Sequence, residues 1–235
     1  MEFFQIMLKN IEAMIEILSK YWYRFLVTGV SSTLMLALIT VIGGTIIGSL
    51  LAIGRMSKIA PLRWVIVAFV EIVRGTPSLL QLYIGYLLGP QLFPSLNKMQ
   101  PTRAAFICVS VALIINSAAY VSEIIRSGIN AVDKGQTEAS RSLGLSGSIT
   151  MIHVILPQAI KNILPALGNE FITVIKETSL ASTFFAGELM TQYKEVVGVT
   201  YNAFPTLMLV GIIYFILNFV LSKILGLVER KMKHA

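Results

Sequence analysis

Asn116, Tyr120 and Glu123 recur at i, i+4 and i+7, the spacing that sets side chains on one face of a helix. Glu170, Thr173 and Glu177 do the same at i, i+3 and i+7. Amides, hydroxyls and carboxylates in such stripes form hydrogen bonds and ion pairs; alone they break no covalent bond. A stripe that carries a carboxylate suits an ammonium or guanidinium group. Asn116, Ser117, Tyr120, Glu170 and Thr173 are therefore the candidate contacts for a polar or cationic solute. A structural role competes for the same residues. Glu170 can serve packing alone, and Glu71–Arg74 and Glu123–Arg126 are i, i+3 pairs able to satisfy each other.

No catalytic constellation accompanies the stripes. The chain has no H-E-x-x-H, no G-x-S-x-G and no G-x-x-x-x-G-K-[ST] phosphate loop. One cysteine, Cys108, excludes an intrachain disulfide and a Cys-based metal site. Two histidines, His153 and His234, leave little scope for metal catalysis. The expectation is a non-enzyme with no metal and no cofactor in this chain.

The elements that hold these stripes must lie in lipid. Of 235 residues 55% are hydrophobic and 13% charged, with a mean hydropathy of +0.77; a soluble domain carries about twice that charged fraction. Residues 25–54 and 196–222 contain no charge, and about 20 apolar residues suffice to cross a bilayer as a helix. The expected fold is all-α and integral to the membrane. Five helices are predicted to span it, over roughly 25–54, 62–88, 103–126, 160–186 and 203–227. The fourth is the least regular, because Glu170, Lys176 and Glu177 must face protein or water. Before them, Phe4, Met7, Leu8, Ile11, Met14, Ile15 and Leu18 recur at helical spacing, which predicts an amphipathic helix over 1–20, lying on the membrane or packed on the protein. Residues 21–235 then form one transmembrane domain, and the start of the chain does not read as a signal peptide.

Charge sets the orientation. The net charge of +7 is not a nucleic-acid footprint, because the basic residues cluster in short loops, the positive-inside pattern. Arg55, Lys58 and Arg63, then Arg126, Lys134, Arg141 and Lys161, then Lys223, Arg230, Lys231 and Lys233 fall in three regions expected on the cytoplasmic side. That puts the N-terminus outside and the C-terminus inside. Lys9, Lys20 and Arg24 run against the pattern.

One cytoplasmic loop, about 134–157, is patterned rather than slack. Thr137 is expected to cap a short helix that begins at Glu138, with Glu138 suiting the positive helix end. Gly144 can end it in a left-handed conformation. Ser146 can cap a second helix over 147–153, and Pro157 marks another break or helix start.

Glu138-Ala139-Ser140, Gly144 after three residues and Val154-Ile155-Leu156-Pro157 after nine more resemble the EAA loop of ABC importer permeases. Ser140 and Val154 replace the family's Ala and Ile. Arg74-Gly75-Thr76-Pro77, Ala119 to Arg126, Lys134-Gly135-Gln136, Leu164 to Phe171 and Lys176-Glu177-Thr178-Ser179-Leu180 are similar to segments of the polar amino-acid permeases, the HisMQ-like family. The likeness covers about residues 20–230. It implies a type I importer permease fold and a coupling helix at Glu138, Ala139, Ser140, Arg141 and Gly144 that docks on a cytoplasmic ATPase dimer. It also implies an extracytoplasmic amino-acid-binding protein, a second permease subunit in a homodimer or heterodimer, and ATP and Mg held by the ATPase. The site is a bacterial plasma membrane. The expected cargo is a polar or cationic amino acid: arginine, lysine, histidine or glutamine. Competing classes are an intramembrane enzyme, for which motifs are lacking, and a secondary transporter or channel, most folds of which show a repeat absent here.

Overall fold

A computed structural model describes residues 2–234, with side chains through Lys231, so Lys233 and His234 of the basic tail lie outside the described side chains. Helix α1 (Glu2–Trp22) passes through a π-helical turn (Tyr23–Gly29) into α2 (Val30–Arg55). Then follow α3 (Ala60–Arg74), α4 (Ser78–Leu92), a 3-10 turn (Pro94–Lys98) and α5 (Pro101–Asn130). The loop region forms α6 (Lys134–Ser142), α7 (Gly147–Thr150) and a π-helical turn (Met151–Ile155). Helix α8 (Leu156–Glu177), a 3-10 segment (Thr178–Phe184), α9 (Leu189–Thr200) and α10 (Ala203–His234) complete the order. Among the described residues there is no strand.

Among the described residues, four helical stretches are long and apolar enough to cross a membrane: Glu2–Arg55, Pro101–Asn130, Gly147–Phe184 and Ala203–Lys231. A fifth span arises only if α3 and α4 count as one. The expected unbroken span over 62–88 is therefore corrected to two helices of 15 residues each. The cause is local: Gly75 ends α3, with its N–H donating to Glu71 O at 2.8 Å, and Pro77 follows, which keeps Thr76 out of the helical region. Between the fourth and fifth predicted spans, where no helix was expected to cross, the chain holds α9. The N-terminal helix extends past residue 20, and its last turns pack rather than float: Met14, Leu18 and Tyr21 lie against buried Ile17 and Phe25.

The chain forms two compact units. The first comprises the N-terminal segment to Thr40, Ser78–Leu113 and Thr173–Leu221. Phe184 is its aromatic centre, with the rings of Tyr83 at 4.9 Å and Tyr86 at 4.8 Å. A second cluster joins Phe25, Leu189, Val196, Leu209 and Val210. The second unit comprises Val41–Pro77, Ile114–Ile172 and the segment from Ser222 on. Here α2 meets α5 closely through Gly44 and Gly48. A Cβ at Gly44 would fall 2.7 Å from Ser117 Oγ, and one at Gly48 would fall 2.7 Å from the Ala118 carbonyl oxygen. In lipid, where tails are as apolar as side chains, such backbone approach is what holds helices together. Val70 and Val73 of α3 pack on Ala119 beside it. Outward, α10 exposes Phe215, Ile216 and Phe219, a surface that suits acyl chains rather than water.

Candidate functional site

The loop region and all of the candidate path residues except Thr173, which belongs to the first unit, lie in the second unit. The loop region is built from caps. Asp133, not Thr137, opens α6: its carboxylate accepts from Gly135 N at 2.6 Å. The helix begins at Lys134, four residues before Glu138, which corrects the expected start. Both residues have cap chemistry, and Asp133 has the extended backbone that the position needs. At the other end Gly144 takes φ +84°. Its N–H donates to Arg141 O at 3.0 Å and Leu145 N–H donates to Ser140 O at 3.2 Å, the Schellman arrangement. Arg141 Nη1 closes the same turn on Leu145 O at 2.8 Å. Ser146 then caps α7, accepting from Ile149 N at 3.3 Å. The expected second helix over 147–153 shrinks to four residues, and the chain continues through a π-helical turn into α8 without a break. Pro157, the second residue of α8, follows directly on this turn and, lacking an N–H, donates no hydrogen bond back into it.

Every backbone bend in this knob is fixed by a hydrogen bond or a glycine, and its outer face is bare. Glu138, Ala139 and Arg141 are exposed, and Leu143 is 83% exposed at the tip. Ser140 alone turns inward, with Oγ donating to Gln136 O at 2.6 Å. An exposed leucine on a rigid polar knob has the form of a docking surface. Beneath it a cavity of about 500 Å³ is lined by Asn130, Lys134, Thr137 and Met151 among others.

The two polar stripes meet. Ser117 Oγ donates to Glu170 Oε1 at 3.1 Å, joining α5 to α8. Asn116 and Ser117 are buried, Glu170 is half-buried, and Tyr120 and Thr173 are exposed. One turn along α5, Glu123 gathers three arginines. Arg55 Nη1 lies 2.8 Å from Oε2, Arg74 Nη1 lies 3.6 Å from the same oxygen, and Arg126 chelates both oxygens. The expected Glu123–Arg126 pair forms. The expected Glu71–Arg74 pair does not: among the described residues Arg74 pairs with Glu123 and Glu71 stays exposed. Arg55 was invisible as a partner because 68 residues separate it from Glu123.

The first unit holds a carboxyl that the stripes did not reveal. Glu188 is fully buried and caps α9, accepting from Met190 N at 2.6 Å, Thr191 N at 2.9 Å and Thr191 Oγ1 at 2.8 Å. Tyr214 Oη donates to it at 3.4 Å. Burial pushes its pKa up to about 7, against the pull of these donors. Its signal in the sequence was a glutamate directly after Gly187 and before Leu189-Met190, an acidic residue at a turn.

Comparison with known proteins places this geometry. Residues 44–234 match the model of the binding-protein-dependent transport system inner membrane component. The chain is 41% identical over 209 residues to the arginine transport system permease protein ArtQ of Bacillus subtilis, covering 89% of this chain and 93% of that one. It is 41% identical to a putative glutamine transport system permease protein, GlnP, of Rickettsia bellii, covering 88% and 93%. The crystal structure of an amino acid ABC transporter with histidines superposes with a TM-score of 0.82 at 43% identity, covering 91% of this chain and 96% of that one. The MetNI methionine ABC transporter shares the fold, with a TM-score of 0.72 at 22% identity. The chain belongs to the inner-membrane-component family of binding-protein-dependent transport systems, as a multi-pass ABC permease of the polar amino-acid type.

Proposed function

We propose that this permease carries a polar or cationic amino acid (arginine, lysine, histidine or glutamine) along the α5–α8 stripes, and that an ATPase dimer docked on the Lys134–Gly147 knob drives it. The knob carries the reading: a rigid, capped, outward-facing structure transmits a push, and a slack loop would dissipate it. ATP and Mg belong to the ATPase, and this chain holds no cofactor. A second permease subunit completes the pore, and an extracytoplasmic binding protein delivers the amino acid. Asn116, Ser117, Tyr120, Glu170 and Thr173 contact the cargo. Glu138, Ala139, Ser140, Arg141 and Gly144 shape the docking helix. The relatives named for arginine and glutamine support the cargo class.

The N-terminus lies outside and the C-terminus inside a bacterial plasma membrane. Loop charge supports this, and so does one contact: Arg24, which ran against the pattern, is paired with Glu195 at 2.8 Å.

The test uses the complex purified from its native membrane and reconstituted with its binding protein. Wild type brings an ATPase with it; Glu138→Lys loses that ATPase while the membrane helices stay folded. Glu170→Gln keeps the ATPase, and uptake of arginine falls about tenfold, the scale of one charge-assisted hydrogen bond. A wild-type chain that purifies with no ATPase sinks the coupling reading and favours a secondary transporter or channel. Unchanged uptake in Glu170→Gln removes Glu170 from the path.

A further inference from the structure

The arginine cluster around Glu123 is unbalanced. Three guanidinium groups face one carboxylate, three positive charges against one negative, an excess of two. The carboxylate is not shared evenly. Arg126 chelates it and Arg55 Nη1 takes Oε2 at 2.8 Å, so both oxygens are committed. Arg74 is left at 3.6 Å, beyond a good hydrogen bond, with its guanidinium carbon 5.6 Å from the centre of the Tyr120 ring. Its side chain is 39% exposed, against 12% for Arg55.

Arg74 opens onto a cavity of about 370 Å³. Its polar lining is Arg74, Tyr120, Glu123, Ser127 and Asn162. Apart from Glu123, which is occupied, each of these can donate a hydrogen bond. The rest of the wall is apolar or small, including Ile124 and Ala166. The cavity runs along α5 from Tyr120 to Gly128 and on to Ala131 just beyond its end, the end that leads into the knob.

We propose that this cavity binds the phosphate of an anionic phospholipid, with Arg74 as its main contact and Ser127 and Asn162 as further donors. An excess of two positive charges beside an open cavity calls for an anion. A guanidinium fork matches two phosphate oxygens. The apolar wall beside the donors separates a lipid from free phosphate, because it accommodates the glycerol ester and the first methylenes. Basic pockets between helices at the cytoplasmic interface are where such headgroups are held. The inference rests on the orientation above, which sets this end of α5 at that interface.

The experiment is native mass spectrometry on the purified complex in nanodiscs of phosphatidylcholine, with or without phosphatidylglycerol. Wild type retains phosphatidylglycerol in preference to phosphatidylcholine, and Arg74→Gln weakens that retention about tenfold. Ser127→Ala, which leaves every ion pair in place, weakens it less and serves if Arg74→Gln does not fold. Equal retention of both lipids by wild type overturns the proposal, as does equal retention in wild type and both variants. Displacement of the lipid by inorganic phosphate or by arginine alone overturns it too, in favour of a free anion or the cargo. Lipid retention is read without transport, so its failure leaves the ATPase reading standing, and loss of the ATPase leaves this result intact.

Discussion

A single carboxyl, Glu188, shows how far burial can act against hydrogen bonding. It lies between the spans, caps α9 with both oxygens and sees no water. Its pKa rises from an ordinary 4.5 to about 7. Between those values the native chain keeps a proton that the unfolded chain has released, so stability falls as pH rises from 4.5 to 7 and levels off above. Thermal melts in detergent are expected to fall over that range in wild type and to flatten in Glu188→Gln; parallel profiles would show that another group sets the dependence. Glu188→Ala strips a cap and lowers stability at every pH by about 0.5–2 kcal/mol.

At the scale of elements, what was legible in the sequence was what neighbouring residues decide. The left-handed Gly144 and the Ser146 cap need only a few residues, and both stand where the spacing set them. Gly144→Val forces a branched side chain into that conformation, at a cost of roughly 1–2 kcal/mol per residue. It is expected to raise hydrogen exchange over 140–150 and weaken ATPase retention, and Gly144→Asn is expected to do neither. Equal exchange in the valine variant would show that the turn does not hold the knob. Illegible features were decided elsewhere. Asp133 and Thr137 both have the chemistry of a cap, and the backbone conformation that selects Asp133 is not written in either side chain. The break after Arg74 was masked because hydropathy averages over Gly75–Pro77. The stripes were legible as faces of helices, but the Ser117–Glu170 contact joins residues 53 apart, and no local pattern encodes it.

At the scale of the whole molecule, four of the five unit boundaries, at Thr40, Leu113, Ile172 and Leu221, fall inside α2, α5, α8 and α10, and the fifth, at Pro77, falls in the break between α3 and α4. Its orientation is a property of the whole charge distribution and calls for a test at that scale. Cys108 is buried, so single cysteines can be introduced over a quiet background. Leu143→Cys in the knob is expected to react with an impermeant maleimide only in inside-out vesicles, and Val199→Cys on the exposed face of α9 only in right-side-out cells. Labelling of both from one side would show that the Gly147–Phe184 stretch does not cross, and would reject the five-crossing topology.

The π-helical turn at Tyr23–Gly29 has a consequence for how the gene can change. A helix turns about 100° per residue. Losing one codon within 23–29 could restore a regular helix, yet it would swing α1 by about that angle relative to α2. Ile17, Met14 and Leu18 would then leave the cluster they share with Phe25 and Leu189. Substitutions on the exposed face of α1, at Phe3, Phe4 or Ile6, keep the register and can drift. Length variation within the turn cannot, so lineages of this subunit are expected to vary freely in letters there and hardly at all in residue number.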